Sequence, residues 1–102
     1  MLIQILVEDD LRAGIISDAH RFIFEYKDSV SSSKVAAAQR AWHITSAAIT
    51  RLEGEELELR MKWDQISRGN AVSIGDIVAV DGDAYLCQPG GWERTSLGLA
   101  KK

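Results

Sequence analysis

The chain has 102 residues, of which 46% are hydrophobic and 26% charged, close to the average for one globular domain. We therefore expect a single domain over residues 1–102 whose core holds without disulfides or a structural metal. Acidic residues outnumber basic ones by 15 to 12, and neither sign is clustered. This balance disfavours sequence-independent binding to nucleic acid, whereas a mimic of nucleic acid would carry a much larger negative excess.

The single cysteine, Cys87, excludes an intramolecular disulfide and a cysteine-rich zinc site, and it is typical of a reducing compartment. The opening residues MLIQILVEDD lack the basic segment of a signal peptide. Their apolar run ends at Val7, which is too short for a membrane span. We therefore predict a cytoplasmic protein with no membrane association.

The first half of the chain predicts one strand and two helices. LIQILV at 2–7 is typical of a buried strand, and apolar residues spaced by three or four predict an amphipathic helix over 10–28. SVSSS at 29–33 breaks that pattern and supplies serines that can cap a second helix. We expect this second helix to end at Gly54 in a left-handed cap and to pair with the first as an antiparallel hairpin.

The second half predicts strands and turns. ELELRMKW at 56–63 alternates charged and apolar residues, as a half-buried strand does, and residues 64–71 are polar enough for a loop. Apolar residues 77–80 and residues 84–88 predict two further strands, and a last short strand follows a turn at 89–91. The residues predicted to form the turns at either end of the 77–80 strand are Gly75, Asp76, Asp81 and Gly82.

These elements together predict an α+β domain. An N-terminal strand and an antiparallel two-helix hairpin occupy 1–54, a three- to four-stranded antiparallel β-meander occupies 55–95, and 96–102 form a tail.

Catalytic, metal-binding and cofactor-binding patterns are absent from the sequence. A cysteine nucleophile needs a neighbouring base, and His20 and His43 both fall on the polar sides of the predicted helices. Neither histidine has a second one four residues later, and no glycine-rich phosphate loop is present. The acids around 76–83 are interrupted by apolar residues, unlike a calcium loop. We predict that the protein is not an enzyme and uses no metal or cofactor.

The best candidates for a binding surface are Trp92, Arg94 and Tyr85. Tryptophan, tyrosine and arginine are the residues enriched in the energetic centres of interfaces. A strand places Trp92 and Arg94 on the same side, two positions apart. The alternative is that Trp92 only closes the core, since tryptophan is highly buried on average.

The late stretch resembles a module of small uncharacterised proteins of actinobacterial phages and plasmids, and it is similar to the YodL-like group of mobile elements. The shared form is S-x-G-D-x-V, a hairpin, an aromatic-x-Cys and a Gly-aromatic pair. The resemblance covers 73–93 and extends loosely back to residue 37. It implies a phage or mobile-element setting and carries no known activity. The matching positions are Ser73, Gly75, Asp76, Val78, Tyr85, Cys87, Gly91 and Trp92.

Two classes of function fit these observations. The leading hypothesis is a non-enzymatic protein-interaction module that binds a bacterial host or phage protein. Self-association belongs to the same class, and it could occur through the alanine-rich second helix with Trp42 or through a sheet edge. The alternative is a nucleic-acid-associated regulator, supported only by Arg40 and Arg51, which would share one helix face.

Overall fold

The computed structural model describes residues 1–8, 20–67 and 70–95. Within these residues, five antiparallel strands form one sheet, and two helices pack on it. The predicted α+β class is confirmed. The strands, in the order β2-β1-β3-β4-β5, are β1 (Leu2–Glu8), β2 (His20–Lys27), β3 (Ile77–Val80), β4 (Asp83–Gln88) and β5 (Gly91–Thr95).

The helices are α1 (Lys34–Ser46) and α2 (Gly54–Ser67), with a 3-10 turn at Ile49–Arg51 between them. Ser33 caps α1 as its position predicted, because its hydroxyl accepts from the Ala36 amide at 3.1 Å. The other end of α1 is capped by Arg60 of α2, whose guanidinium donates to the carbonyls of Ile44 and Ala47. The two helices are therefore fixed to each other where α1 ends.

The predicted helix over 10–28 is wrong for residues 20–27, which form β2, and the rest of it up to residue 19 lies outside the described residues. Phe24 and Tyr26 are each only 8% exposed, whereas Glu25 and Lys27 are exposed. This alternation of buried and exposed side chains is the two-residue period of a strand. At about 100° per residue, Phe24 would fall off the apolar stripe of a helix over 10–28, and the strand accounts for its burial. Aromatic and β-branched residues favour this strand over the helix.

The predicted strand over 56–63 is also wrong, because these residues belong to α2. Glutamate, leucine, arginine, methionine and lysine all favour helices, and only Leu59 and Trp63, four residues apart, are buried. Gly54, predicted to end a helix, has φ of +61° and begins α2, while α1 ends at Ser46. The predicted loop at 64–71 is helical up to residue 67.

The late strands β3, β4 and β5 pair in sequence as an antiparallel meander, but the sheet is larger than predicted. β1 pairs with β3 on one side and with β2 on the other. Strands from before and after the helices thus form one continuous sheet.

The turn between β3 and β4 has the backbone expected of an Asp-Gly hairpin. Asp81 has φ of +50° and Gly82 has φ of +89°, both in the region that such a turn requires. The Asp81 carboxylate also accepts from the Leu2 amide at 2.7 Å and so joins the hairpin to β1. At the other end of β3, Gly75 has φ of +101°, and Asp76 accepts from the Ser73 amide at 2.8 Å.

We expect Gly82→Ala to lower the free energy of unfolding by about 1 to 2 kcal/mol, because an L side chain is strained at this φ. A Cβ at Gly82 or at Gly90 would meet no atom within 4 Å, and of these two glycines only Gly82 has a positive φ. Gly90→Ala is therefore the matched control and should raise stability by up to about 1 kcal/mol. Urea unfolding of the two variants measures the difference, and equal stabilities would contradict this assignment of strain.

The main core lies between the sheet and the helices. Its largest member is Trp63, 1% exposed, which meets the Phe24 ring edge-on at 5.7 Å and donates from Nε1 to the Asn70 carbonyl at 2.6 Å. Small residues of α1 allow the helix to approach the sheet closely. The buried residues of this core are Ile3, Ile5, Phe24, Tyr26, Ala37, Ala38, Ala41, Ile44, Leu59, Trp63, Val72, Val78 and Val80.

A buried ion cluster joins β2 to both helices. The side chain of Asp28 is fully buried, and its carboxylate lies 3.3 Å from Nη1 of Arg40 in α1. The guanidinium of Arg40, itself 14% exposed, also binds Glu56 of α2 at 2.8 Å. Asp28 further accepts from the amides of Val30 and Ser31 and from the Ser31 hydroxyl. The two buried charges are thus paired, and the Asp28 carboxylate is also hydrogen-bonded, whereas the buried Nη1 of Arg40 contacts Asp28 only as an ion pair.

The pKa of Asp28 predicts an acid-sensitive fold. Burial alone would raise this pKa, but the hydrogen bonds from Ser31 and Val30 and the ion pair with Arg40 stabilise the carboxylate more strongly and lower the pKa from 3.8 to about 2. A lowered folded-state pKa gives stability that is present above about pH 4 and is lost as the pH falls towards 2, a difference of roughly 2 kcal/mol.

The test compares urea unfolding of wild type and Asp28→Asn at pH 5 and pH 2. Other carboxylates titrate in both proteins, so the additional loss in wild type reports Asp28. We expect wild type to lose roughly 2 kcal/mol more than the variant. Equal losses in the two proteins would show that Asp28 does not titrate as described.

Candidate functional site

A groove with two tryptophans lies at the end of the sheet formed by β4 and β5. It has a volume of about 280 Å³ and is partly open to solvent. We call it the tryptophan groove. The residues that line it are Gln39, Trp42, Ile74, Cys87, Gln88, Pro89, Gly91 and Trp92.

Three segments build the groove. The first is α1, which contacts β5 and contributes Gln39 and Trp42. The second is the turn before β3, which is fixed to β4 by hydrogen bonds from the Gly75 amide to the Cys87 carbonyl and from the Cys87 amide to the Asp76 carbonyl. The third is the turn from β4 to β5. The groove therefore rests on regular structure on two sides, which favours a preformed site.

The orientation of Trp92 is fixed from both sides. It lies opposite Cys87 in the register of β4 and β5, on the face of the sheet that the helices cover. Its Nε1 donates to Oε1 of Gln39 at 3.0 Å, which joins β5 to α1. Trp92 is half-buried, so it both packs against the core and forms a wall of the groove.

The outer parts of the groove expose large apolar surface. Trp42 is 41% exposed and Ile74 is 62% exposed, although tryptophan and isoleucine are among the residues most often buried. The sequence suggested Trp42 as part of a self-association surface on its helix. In the structure α1 buries Ala37, Ala41 and Ile44, and Val35 and Trp42 face outward.

Tyr85 and Arg94, predicted with Trp92 as binding residues, lie next to the groove and do not line it. They are opposite each other in β4 and β5, and the Arg94 guanidinium lies 6.0 Å from the centre of the Tyr85 ring. Arg94 also pairs with Asp83 at 2.9 Å, and Asp83 pairs with Lys34 of α1. The hydrogen bond with Lys34 lowers the pKa of Asp83 and raises that of Lys34.

The groove contains no activated nucleophile. Cys87 is 8% exposed, and burial, together with the negative charge of Asp76, raises the pKa of its thiol and so disfavours the thiolate. His43 is exposed on α1 and does not line the groove. His20 begins β2 and is not helical as predicted. Among residues 1–8, 20–67 and 70–95, no group of three or more His, Cys, Asp or Glu is placed to hold a metal ion.

Comparisons with known proteins give no relative for this chain. No family model matches it, and neither a curated protein nor a solved structure is similar to it at a significant level. In the described part of the chain, neither helix has the length and apolar character needed to cross a membrane.

Proposed function

We propose that the protein is a non-enzymatic interaction module of a phage or other mobile element, and that it binds a bacterial host or phage protein in the cytoplasm through the tryptophan groove. The observation that carries this proposal is the exposed apolar surface of Trp42 and Ile74 beside Trp92. Aromatic residues clustered in one concave site are typical of the centres of protein interfaces. The mobile-element setting rests on the resemblance of residues 73–93.

The ion pairs of Arg40 favour a protein partner over nucleic acid. Arg40 is one of the two arginines that supported a nucleic-acid regulator, and its charge is neutralised by Asp28 and Glu56. A phosphate contact by Arg40 would have to break this cluster, whose buried carboxylate would then lack its partner. Arg51 alone is a weak basis for binding a phosphate backbone.

The test is the capture of partners from lysate of the bacterial host by immobilised wild type, Trp42→Ala and Met61→Ala. Met61 is a matched control because it is 52% exposed, lies on α2 and does not line the groove. We expect one protein to be retained by wild type and Met61→Ala and to be lost with Trp42→Ala. Equal retention by all three would remove the groove as the binding site.

Self-association belongs to the same class of function. The molecular mass of the protein in solution distinguishes it from binding to a different protein. If the groove binds a second copy, the mass of wild type rises with concentration and that of Trp42→Ala does not. A monomeric mass at all concentrations leaves a different protein as the partner.

A further inference from the structure

The lining of the tryptophan groove is uncharged. None of its eight residues is Asp, Glu, Lys, Arg or His, although 26% of the chain is charged. A charged side chain or a phosphate inside the groove would lose hydration without gaining an ionic partner from the lining. The complementary ligand is therefore a segment without charge where it contacts the groove.

The groove also offers hydrogen-bond donors beside its two indoles. Gln39 accepts from Trp92 through Oε1, and the amide nitrogen of the same side chain carries two further donors. Gln39 is exposed, so these donors are available to a ligand in the groove. A ligand that stacks on the indoles and presents carbonyl oxygens would satisfy both features.

A polyproline II segment has both properties. It has no internal hydrogen bonds, so its carbonyls point outward, and it is extended before binding, which lowers the entropy cost of association. Proline-rich segments are recognised in this conformation by aromatic-lined grooves. A volume of about 280 Å³ is at the lower limit of pockets that enclose a small molecule, but an open groove of this size can take a few side chains of a peptide.

We propose that the tryptophan groove binds an uncharged, proline-containing segment of the partner protein in the polyproline II conformation. Proline rings lie against Trp42 and Trp92, and backbone carbonyls accept from Gln39. This inference rests on the proposed interaction function and specifies the chemistry of the partner.

The test is a titration of the labelled protein with octaproline, followed by the NMR signals of the three indole N–H groups. We expect saturable shifts for Trp42 and Trp92 with a Kd at or below about 1 mM, and no shift for Trp63, which is 1% exposed. Trp42→Ala should weaken binding by at least about tenfold, whereas Met61→Ala should not change it. An alanine-rich peptide of equal length should give no saturable shift.

Four results would overturn the inference. One is the absence of saturable shifts at Trp42 and Trp92, and another is equal binding of the alanine-rich peptide. The third is a shift of the NMR signals of both indoles that depends on protein concentration and not on the peptide. That result would make a second copy of the chain the ligand. If a partner captured through Trp42 contacts the groove with a segment that lacks proline, the interaction function stands and the polyproline inference falls.

Discussion

Replacing Trp63 with alanine is expected to lower the free energy of unfolding by about 3 to 5 kcal/mol, the usual cost of removing a large buried aromatic side chain. Trp63 is 1% exposed, packs edge-on against Phe24 and binds the Asn70 carbonyl. Its loss removes contacts between α2 and β2 and leaves a cavity in the main core. Urea or thermal unfolding followed by far-UV circular dichroism measures the change.

Two variants separate packing from general effects of removing an indole. Trp63→Phe keeps most of the buried ring and loses the hydrogen bond to Asn70, so its cost should be smaller, about 1 to 2 kcal/mol. Trp42→Ala removes an indole that is 41% exposed and should cost less than about 1 kcal/mol, within the range of most surface changes. If Trp42→Ala were as destabilising as Trp63→Ala, Trp42 would be a core residue and the groove would lose its main wall.

Arg40→Met is expected to cost about 3 kcal/mol, because it leaves the fully buried Asp28 without its cation. The hydrogen bonds from Val30 and Ser31 remain, which places the expected cost at the lower end for a broken buried ion pair. Equilibrium unfolding in urea at pH 7 gives the value.

Arg51→Met is the control for Arg40→Met, since it makes the same chemical change at an exposed residue. It should alter the free energy of unfolding by less than about 0.5 kcal/mol. If the two variants lost equal stability, the cluster of Asp28, Arg40 and Glu56 would not connect β2 to the helices as described.

The parts of the fold that local chemistry determines could be predicted from the sequence. The Asp81-Gly82 hairpin, the capping role of Ser33 and the strands on either side of the late turns depend on neighbouring residues. The segments at 20–27 and 54–67 could not be assigned in this way, because the spacing of their apolar residues is compatible with both the period of a strand and the period of a helix. Ile23 and Tyr26 fit a helical stripe, whereas Phe24 and Tyr26 fit the alternation of a strand, and pairing with β1 decides between the two.

The candidate site could be predicted only in part. Trp92 was identified from its residue type and its place in a strand, and it lies in the groove. Trp42 was considered only for self-association, and its exposure depends on how α1 is rotated over the sheet, which the alanines of α1 determine by packing. Ile74 and Gln39 join the site through tertiary contacts that no local pattern records. Binding by Tyr85 and Arg94 stays a prediction.

Site-specific cross-linking in the bacterial host tests the central claim most directly. A photoreactive residue is placed at Ile74, which lines the groove, or at Met61, which does not; the two are 62% and 52% exposed. We predict that position 74 forms a cross-link to one protein, that Trp42→Ala in the same chain abolishes it, and that position 61 forms none. Cross-linking to the same protein from both positions, or a product at position 74 that survives Trp42→Ala, would contradict the account.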